Sequence, residues 1–379
     1  MLRLRSVLQK VAVGRTAFFV QPLLRVARLG TTPASYSETS LKTMPYESDP
    51  PDAPAVDTAS RQVRQVTVDV GYAGQRLDNF LRRELSDVPK SHVYRVIRTG
   101  EVRVNGRRAK PDTRLAENDV VRVPPLKVAP PRLVGGVSAD LVRRVTAAIL
   151  VEERDMLVID KPAGIAVHGG SGVTFGVIEA LRAARPDETL ELAHRLDRDT
   201  SGLLLVARRP AALRTLHALL RDGAFNKRYL ALVRGKWELG EKRIDAPLRT
   251  DTRVNGERTV QVHASGKAAR SDFRPVQFFG KRATLVEVTL LTGRTHQIRV
   301  HAAHAGYPIA GDPKYGDQPF NAELQELGLR RMFLHAHALE FVWPATNNEV
   351  SLSAPLPAEL ASVIDRLTDL AAPRRRKSR

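Results

Sequence analysis

The segment His194-Arg195-Leu196-Asp197-Arg198-Asp199-Thr200-Ser201-Gly202 places two carboxylates, two guanidinium groups and an imidazole directly ahead of the apolar run ending at Ala207. A polar loop held at the edge of a sheet is where a reactive carboxylate can be fixed. Asp197 and Asp199 are two residues apart, and an extended chain separates such positions by about 6.6 Å, within the range used by glycosidase acid and nucleophile pairs. The same charges also suit a purely structural salt-bridge knot, and spacing alone does not choose between the two.

Other chemistry is easier to set aside. The chain has no cysteine, which removes a thiolate nucleophile, a thiolate zinc site and a disulfide scaffold together. His296, His301, His304, His335 and His337 are candidate metal ligands by type, but no His-Glu-x-x-His pattern accompanies them. The run His168-Gly169-Gly170-Ser171-Gly172 has the look of an esterase oxyanion loop, yet the Gly-x-Ser-x-Gly elbow that would carry the nucleophile is missing. There is no Walker loop and no dinucleotide fingerprint.

Two groups of elements must position these residues. From Arg76, the apolar residues Leu77, Phe80, Leu81 and Leu85 recur at helical spacing. A second short helix from Ser91 turns Val93, Val96 and Ile97 inward and stops at Gly100. An alternating strand then enters the Asn105-Gly106 turn, and a return strand follows at residues 119–123. The unit reads as a small α-α-β-β module. Its polar positions hold Arg82, Arg83, Lys90, Arg95, Arg98, Arg103, Arg107, Arg108 and Lys110, a basic face suited to phosphates. After a proline-rich stretch come strand-like runs at residues 156–159, 202–207, 229–233, 283–291 and 333–342, with a helix expected over 295–305. The pattern predicts an α+β fold with a mainly antiparallel, mixed sheet.

Composition agrees with a polyanionic partner. Lys and Arg number 60 against 41 Asp and Glu, a formal charge of +19 over 379 residues. No apolar run reaches the length of a membrane span. The first thirty residues carry Arg3, Arg5, Lys10, Arg15, Arg25 and Arg28, with no acid before Glu38. That pattern has two readings: a mitochondrial transit peptide, or residues upstream of a true start at Met44 in a bacterial gene, which we favour.

The string at 194–202 is preceded by Lys161-Pro162-Ala163-Gly164-Ile165-Ala166-Val167-His168 and followed by Lys227-Arg228-Tyr229-Leu230-Ala231-Leu232-Val233. Thr292-Gly293-Arg294-Thr295-His296-Gln297-Ile298-Arg299-Val300-His301 and Gly311-Asp312-Pro313-Lys314-Tyr315-Gly316 complete the set. In order and spacing these blocks resemble the large-subunit-type ribosomal RNA pseudouridine synthase family. The module opening Gln75-Arg76-Leu77-Asp78-Asn79-Phe80-Leu81 resembles the S4 RNA-binding domain. The similarity runs from about residue 74 to 355. Val88-Pro89-Lys90-Ser91, 166–172 and 175–179 are similar to one branch that modifies large-subunit RNA.

The resemblance implies a reaction that breaks the N1–C1′ bond of a uridine in 23S (large-subunit) ribosomal RNA, rotates the uracil and rejoins it through C5, with no cofactor or metal. It implies Asp197 as the catalytic carboxylate, with Asp199 an orienting or structural acid. Asp197 would act as a nucleophile on C1′ or as a base on the C2′ proton, and the residues do not choose between these routes. It also implies Tyr229 stacked on the uracil and Arg294 paired with Asp197 as its counter-charge. On the substrate side it implies Ile298 as an apolar wall, with Arg195 filling the space left by a flipped nucleotide beside His194. Plain core packing is the competing reading for Tyr229 and Ile298, and a noncatalytic RNA-binding factor is the competing reading for the chain. The expected organisation is a lead-in over 1–70, an S4-like domain over 74–123, a linker over 124–145, a catalytic domain over 146–370 and a basic tail over 371–379. We expect a monomer acting on large-subunit ribosomal RNA, free or in assembly intermediates, in the bacterial cytoplasm and away from membranes.

Overall fold

A computed structural model describes residues 63–372, apart from 86–87, 89, 126–135, 171–173 and 253–257. The expected basic tail from residue 373, and the lead-in up to residue 62 with its candidate leader, lie outside the described residues. The chain divides into two compact units at residue 136.

The first unit contains β1 (Arg64–Thr67), α1 (Leu77–Glu84), α2 (Lys90–Arg98), β2 (Arg103–Val104), β3 (Arg107–Arg108) and β4 (Val120–Val123). Its core is Leu77, Phe80, Leu81, Leu85, Val93, Val96 and Ile97 with sheet residues such as Val104, Val121 and Val123, the stripe that helical periodicity predicts. Asn105 and Gly106 both have positive φ, 50° and 76°, so the turn joining β2 to β3 suits that dipeptide. The sheet order is β1-β4-β2-β3. The expected lead-in takes in β1, yet all four residues of this strand pair with β4 and belong to the folded unit. An exposed, charged edge strand has little apolar signal to reveal it.

The second unit runs α3 (Ala139–Ala147), β5 (Ile149–Glu152), β6 (Met156–Lys161), α4 (Val177–Ala184), β7 (Glu191–Leu192), β8 (Ser201–Ala207), α5 (Pro210–Arg221), β9 (Asn226–Arg234), β10 (Lys242–Asp245), β11 (Leu248–Thr252), β12 (Arg258–Val262), β13 (Arg270–Phe279), β14 (Ala283–Leu290), α6 (Gln297–His304), α7 (Gln318–Glu326), β15 (Leu334–Trp343), β16 (Asn348–Ser353) and α8 (Ala358–Ala371). The expected linker reaches residue 145. Residues from Ala139 instead form α3, which is capped by the Ser138 hydroxyl and buries Val145 in the core.

The main sheet has the order β10-β13-β14-β9-β15-β8-β6-β5, with β16 beside β15 and β7 beside β8. Every pairing in it is antiparallel except β15 with β8. Period-two alternation divides its side chains between its two faces. Leu157, Ile159, Leu204, Val206, Tyr229, Ala231 and Val233 face one core, shared with α4 and with Ile298 of α6. Met156, Val158, Leu203 and Leu205 face another, under α5, and Leu232 and Leu285 face the layer of α7 and α8. All of β8 is buried, so both faces of this central strand are covered. The architecture is α+β with an antiparallel-dominated sheet.

One glycine fixes the seam where the parallel pairing begins. Gly202 has φ +109°, and a Cβ there would sit 2.3 Å from the carbonyl oxygen of Ala336. Only glycine lets β8 come this close to β15 in that conformation, and the loop carrying Asp197 enters the sheet at this point.

Candidate active site

A small cleft of about 110 Å³ opens on the Tyr229 side of the sheet, lined by Arg195, Asp197, Tyr229, Arg294, His296, Ile298 and Arg299 among others. Its volume is of the same order as the roughly 150 Å³ cavity that accepts one benzene ring.

The 194–200 loop is held from both ends. Asp197 O accepts from Thr200 N, and Gly164 N donates to Arg198 O at 2.8 Å. Beneath it the ammonium of Lys161, at the end of β6 and fully buried, donates to the carbonyls of Pro162, Ile165 and Arg198 at 2.9–3.0 Å. Burial pushes the Lys161 pKa down to about 7, against the pull of Asp199. Leu196 is buried in the core and, with its neighbours Arg195 and Asp197, also borders the cleft. Asp199 pairs with Arg198 at 3.3 Å and is not among the cleft residues. The two carboxylates therefore do not form an acid and nucleophile pair across one site.

His194 is a correction. It lies outside the cleft, and its Nε2 accepts from Leu205 N at 3.1 Å. Burial pushes its pKa down to about 4, which suits a neutral acceptor that ties the loop to β8.

Arg294 is the second correction. Its side chain is exposed at the cleft rim, and its Nε donates to Ala268 O at 3.1 Å. The guanidinium beside Asp197 belongs to Arg299, whose Nη1 is 3.4 Å from Oδ2. Arg299 Nε and Nη2 clamp Asp312 at 2.7 and 2.8 Å, a planar two-point grip that only arginine makes. Asp312 is fully buried. Burial alone would raise its pKa, but Arg299 and the amides of Tyr315 and Lys314 reverse this and hold it below the usual carboxylate range. The result is one carboxylate spent on orienting an arginine so that its remaining nitrogen faces another.

The start of α6 explains why Arg299, and not Arg294, takes this place. Gln297 Oε1 accepts from Thr292 Oγ1 and Arg294 N, and its Nε2 donates to Arg270 O and Ser271 Oγ, all at 2.8–3.0 Å. Every hydrogen-bonding site of this buried amide is filled. The helix is thereby pinned to begin at residue 297, which leaves Arg294 outside it and turns Ile298 and Arg299 inward. His296 is held at φ 52°, ψ 20°, a left-handed conformation that costs roughly 1–3 kcal/mol and persists only where neighbours over-determine it.

Tyr229, on β9, is buried. Burial, and then the charge of Asp197, raise its pKa above the usual tyrosine value, so it is a neutral phenol. The other histidines are spread through the packing: His301 meets Ser271 and Ala246, and His335 meets Ser201 and Ala354. Among the described residues no group of three or more His, Cys, Asp and Glu could hold a metal ion.

In the first unit Arg82, Arg95, Arg98, Arg107, Arg108 and Lys110 are exposed and Arg103 is half-buried. Arg83 departs from the expected phosphate-facing set. Its guanidinium lies 3.3 Å over the Tyr72 ring and pairs with Glu84 at 2.7 Å, so it is engaged in packing. The Lys90 side chain lies outside the described residues.

The cleft thus brings a carboxylate, a buried tyrosine and an apolar side chain around a space that would take one small ring. Residues 155–304 match the model of the RNA pseudouridylate synthase family, and residues 75–121 match the S4 domain. A protein of Yersinia pestis named ribosomal large subunit pseudouridine synthase C is 52% identical over 301 residues, 79% of this chain and 93% of the relative. Proteins of the same name from Haemophilus ducreyi and Escherichia coli K12 are each 49% identical, covering 82% of this chain and 97% and 98% of the relatives. The chain belongs to the RNA pseudouridylate synthase family and is an isomerase that converts uridine in RNA to pseudouridine.

Proposed function

We propose that this enzyme isomerises specific uridines of large-subunit ribosomal RNA, with Asp197 as the carboxylate that acts at the ribose. The observation that carries the proposal is the Arg299-oriented Asp197 facing Tyr229 across the cleft. The names of its relatives support large-subunit RNA as the substrate. A flipped uridine stacks its uracil on Tyr229 against Ile298, while exposed Arg195 at the mouth fills the gap in the RNA, a displacement whose cost of a few kcal/mol these contacts offset. Asp197 attacks C1′ or removes the C2′ proton; both routes need an ionised carboxylate placed beside the sugar. Arg294 sits where it can contact RNA phosphate at the rim. We propose that the enzyme acts as a monomer, and the bacterial relatives support a cytoplasmic site of action.

Incubation of the protein with unmodified large-subunit and small-subunit ribosomal RNA tests the substrate. Pseudouridine is expected at a few defined positions of the large-subunit RNA alone; equal modification of both, or of neither, would overturn the assignment. The S4 unit supplies sequence-independent grip. Replacing exposed Arg95, Arg107 and Lys110 together with Gln should flatten the plot of log affinity against log salt, by about 0.7–0.9 for each phosphate that is no longer neutralised. An unchanged slope would show that the grip lies elsewhere.

A further inference from the structure

We infer that His296 is a positioning residue for the isomerisation: its Nε2–H and Arg299 Nη1 together hold Oδ2 of Asp197 and leave Oδ1 as the oxygen presented to the ribose. The inference rests on the reading of Asp197 as the reacting carboxylate.

The distances place both donors on one oxygen. Arg299 Nη1 lies 3.4 Å and His296 Nε2 3.9 Å from Asp197 Oδ2; the first is within hydrogen-bond distance, and the second is an approach that has to tighten in the RNA complex for Nε2–H to donate, as catalytic hydrogen bonds commonly do. Among the described residues no other group meets this carboxylate. Oδ1 is therefore the oxygen with lone pairs to spare. A carboxylate gripped at one oxygen keeps its plane and aims the other, and reaction at C1′ or at the C2′ proton needs that aim.

The network around the ring offers a partner for each nitrogen. His296 Nδ1 is 2.9 Å from the Tyr315 hydroxyl, with the rings edge to face at 5.5 Å. That hydroxyl already accepts from Val260 N at 3.0 Å. Its own proton is available for Nδ1, and with that donation the neutral imidazole carries its hydrogen on Nε2, toward Asp197, the tautomer that the inference takes. Burial lowers the His296 pKa, with Arg299 and Lys314 adding to the effect and Asp197 and Asp312 opposing it. A neutral ring contributes a directed donor where Arg299 already supplies the charge.

Tyr315 is itself fixed. Its backbone N donates to Asp312 at 3.0 Å, and the Arg299 guanidinium lies 5.0 Å over its ring. Asp312 thus orients Arg299 directly and His296 through Tyr315, so that both donors to Asp197 have a common anchor. The left-handed backbone at His296 has the same sense: Gln297 holds the strained turn that swings the imidazole over the cleft.

Three variants of the full chain test the inference, each assayed for single-turnover rate and for RNA affinity beside Asp197→Asn. His296→Asn tolerates the left-handed backbone, but its amide ends near the Nδ1 position and falls short of Asp197. His296→Gln carries an N–H to about where Nε2 lies, and His296→Ala removes the donor. His296→Asn and His296→Ala should lower the single-turnover rate about 10- to 100-fold, the range for losing a hydrogen bond to a charged group, with affinity within about two-fold. His296→Gln should regain most of the rate. Full rate in His296→Asn, a His296→Gln as slow as His296→Ala, or a loss confined to affinity would each overturn the positioning role. An active Asp197→Asn would instead remove the reading on which it rests, so the two failures are distinguishable.

Discussion

Asp197→Asn should reduce single-turnover pseudouridine formation by roughly 10⁴-fold, the scale seen when a carboxylate at the reacting centre is removed, while RNA affinity stays within a few fold. The substitution keeps shape and hydrogen-bonding reach. It removes only the negative charge and the lone pair that attacks carbon or takes a proton. Asp197 is half-buried, its loop is held by the buried Lys161 and by Thr200, and its charge is not a member of the Arg299–Asp312 clamp. Folding should therefore survive, and a thermal midpoint close to the parent would show that the missing activity is chemical. Asp199→Asn, two residues on and paired with Arg198, should retain activity within about ten-fold, since its counter-charge is a surface one.

Arg299→Lys should cost about 100-fold in rate, and Arg294→Ala only a few fold. A lysine at 299 retains the positive charge but offers a single nitrogen. It cannot grip both oxygens of Asp312 and also face Asp197, so the loss belongs to geometry and not to charge. Arg299→Ala would in addition leave Asp312 buried without its partner, destabilising the domain by about 3–5 kcal/mol, and for this reason the lysine variant is the more informative. Arg294 is exposed and bonded to a backbone carbonyl; its removal should appear mainly in RNA affinity. If Arg294→Ala were the inactive variant and Arg299→Lys the active one, the orienting role of Arg299 would be wrong.

Much of this is legible in the residues themselves. The helical stripe Leu77, Phe80, Leu81 and the Asn105-Gly106 turn specify the S4 unit locally. The apolar runs at β8 and β9 place Asp197 in the loop that leads into one strand and Tyr229 within another strand of the same sheet. His194 stays out of the cleft because its ring is tied to the Leu205 amide, a contact that local pattern does not reveal. What local pattern does not carry is the choice between Arg294 and Arg299. That choice turns on where α6 begins, which is decided by Gln297 bonding to Thr292, Arg270 and Ser271 from outside the helix. The Arg299–Asp312 clamp spans 13 residues across a turn, and no helical or strand period links such positions. Lys161 is hidden for a similar reason: a lysine closing an apolar strand reads as a surface residue until the chain folds three carbonyls around it. The β1 and β11–β12 strands are short, charged and weakly patterned, so pairing, not propensity, defines them.

The most direct measurement is a pseudouridine map of ribosomal RNA from cells lacking this gene, restored either with the parent protein or with Asp197→Asn. Defined pseudouridines in the large-subunit RNA should vanish with the gene and return with the parent but not with Asp197→Asn. Their return with the Asn variant, or their persistence without the gene, would contradict the assignment of this cleft and this carboxylate to the reaction.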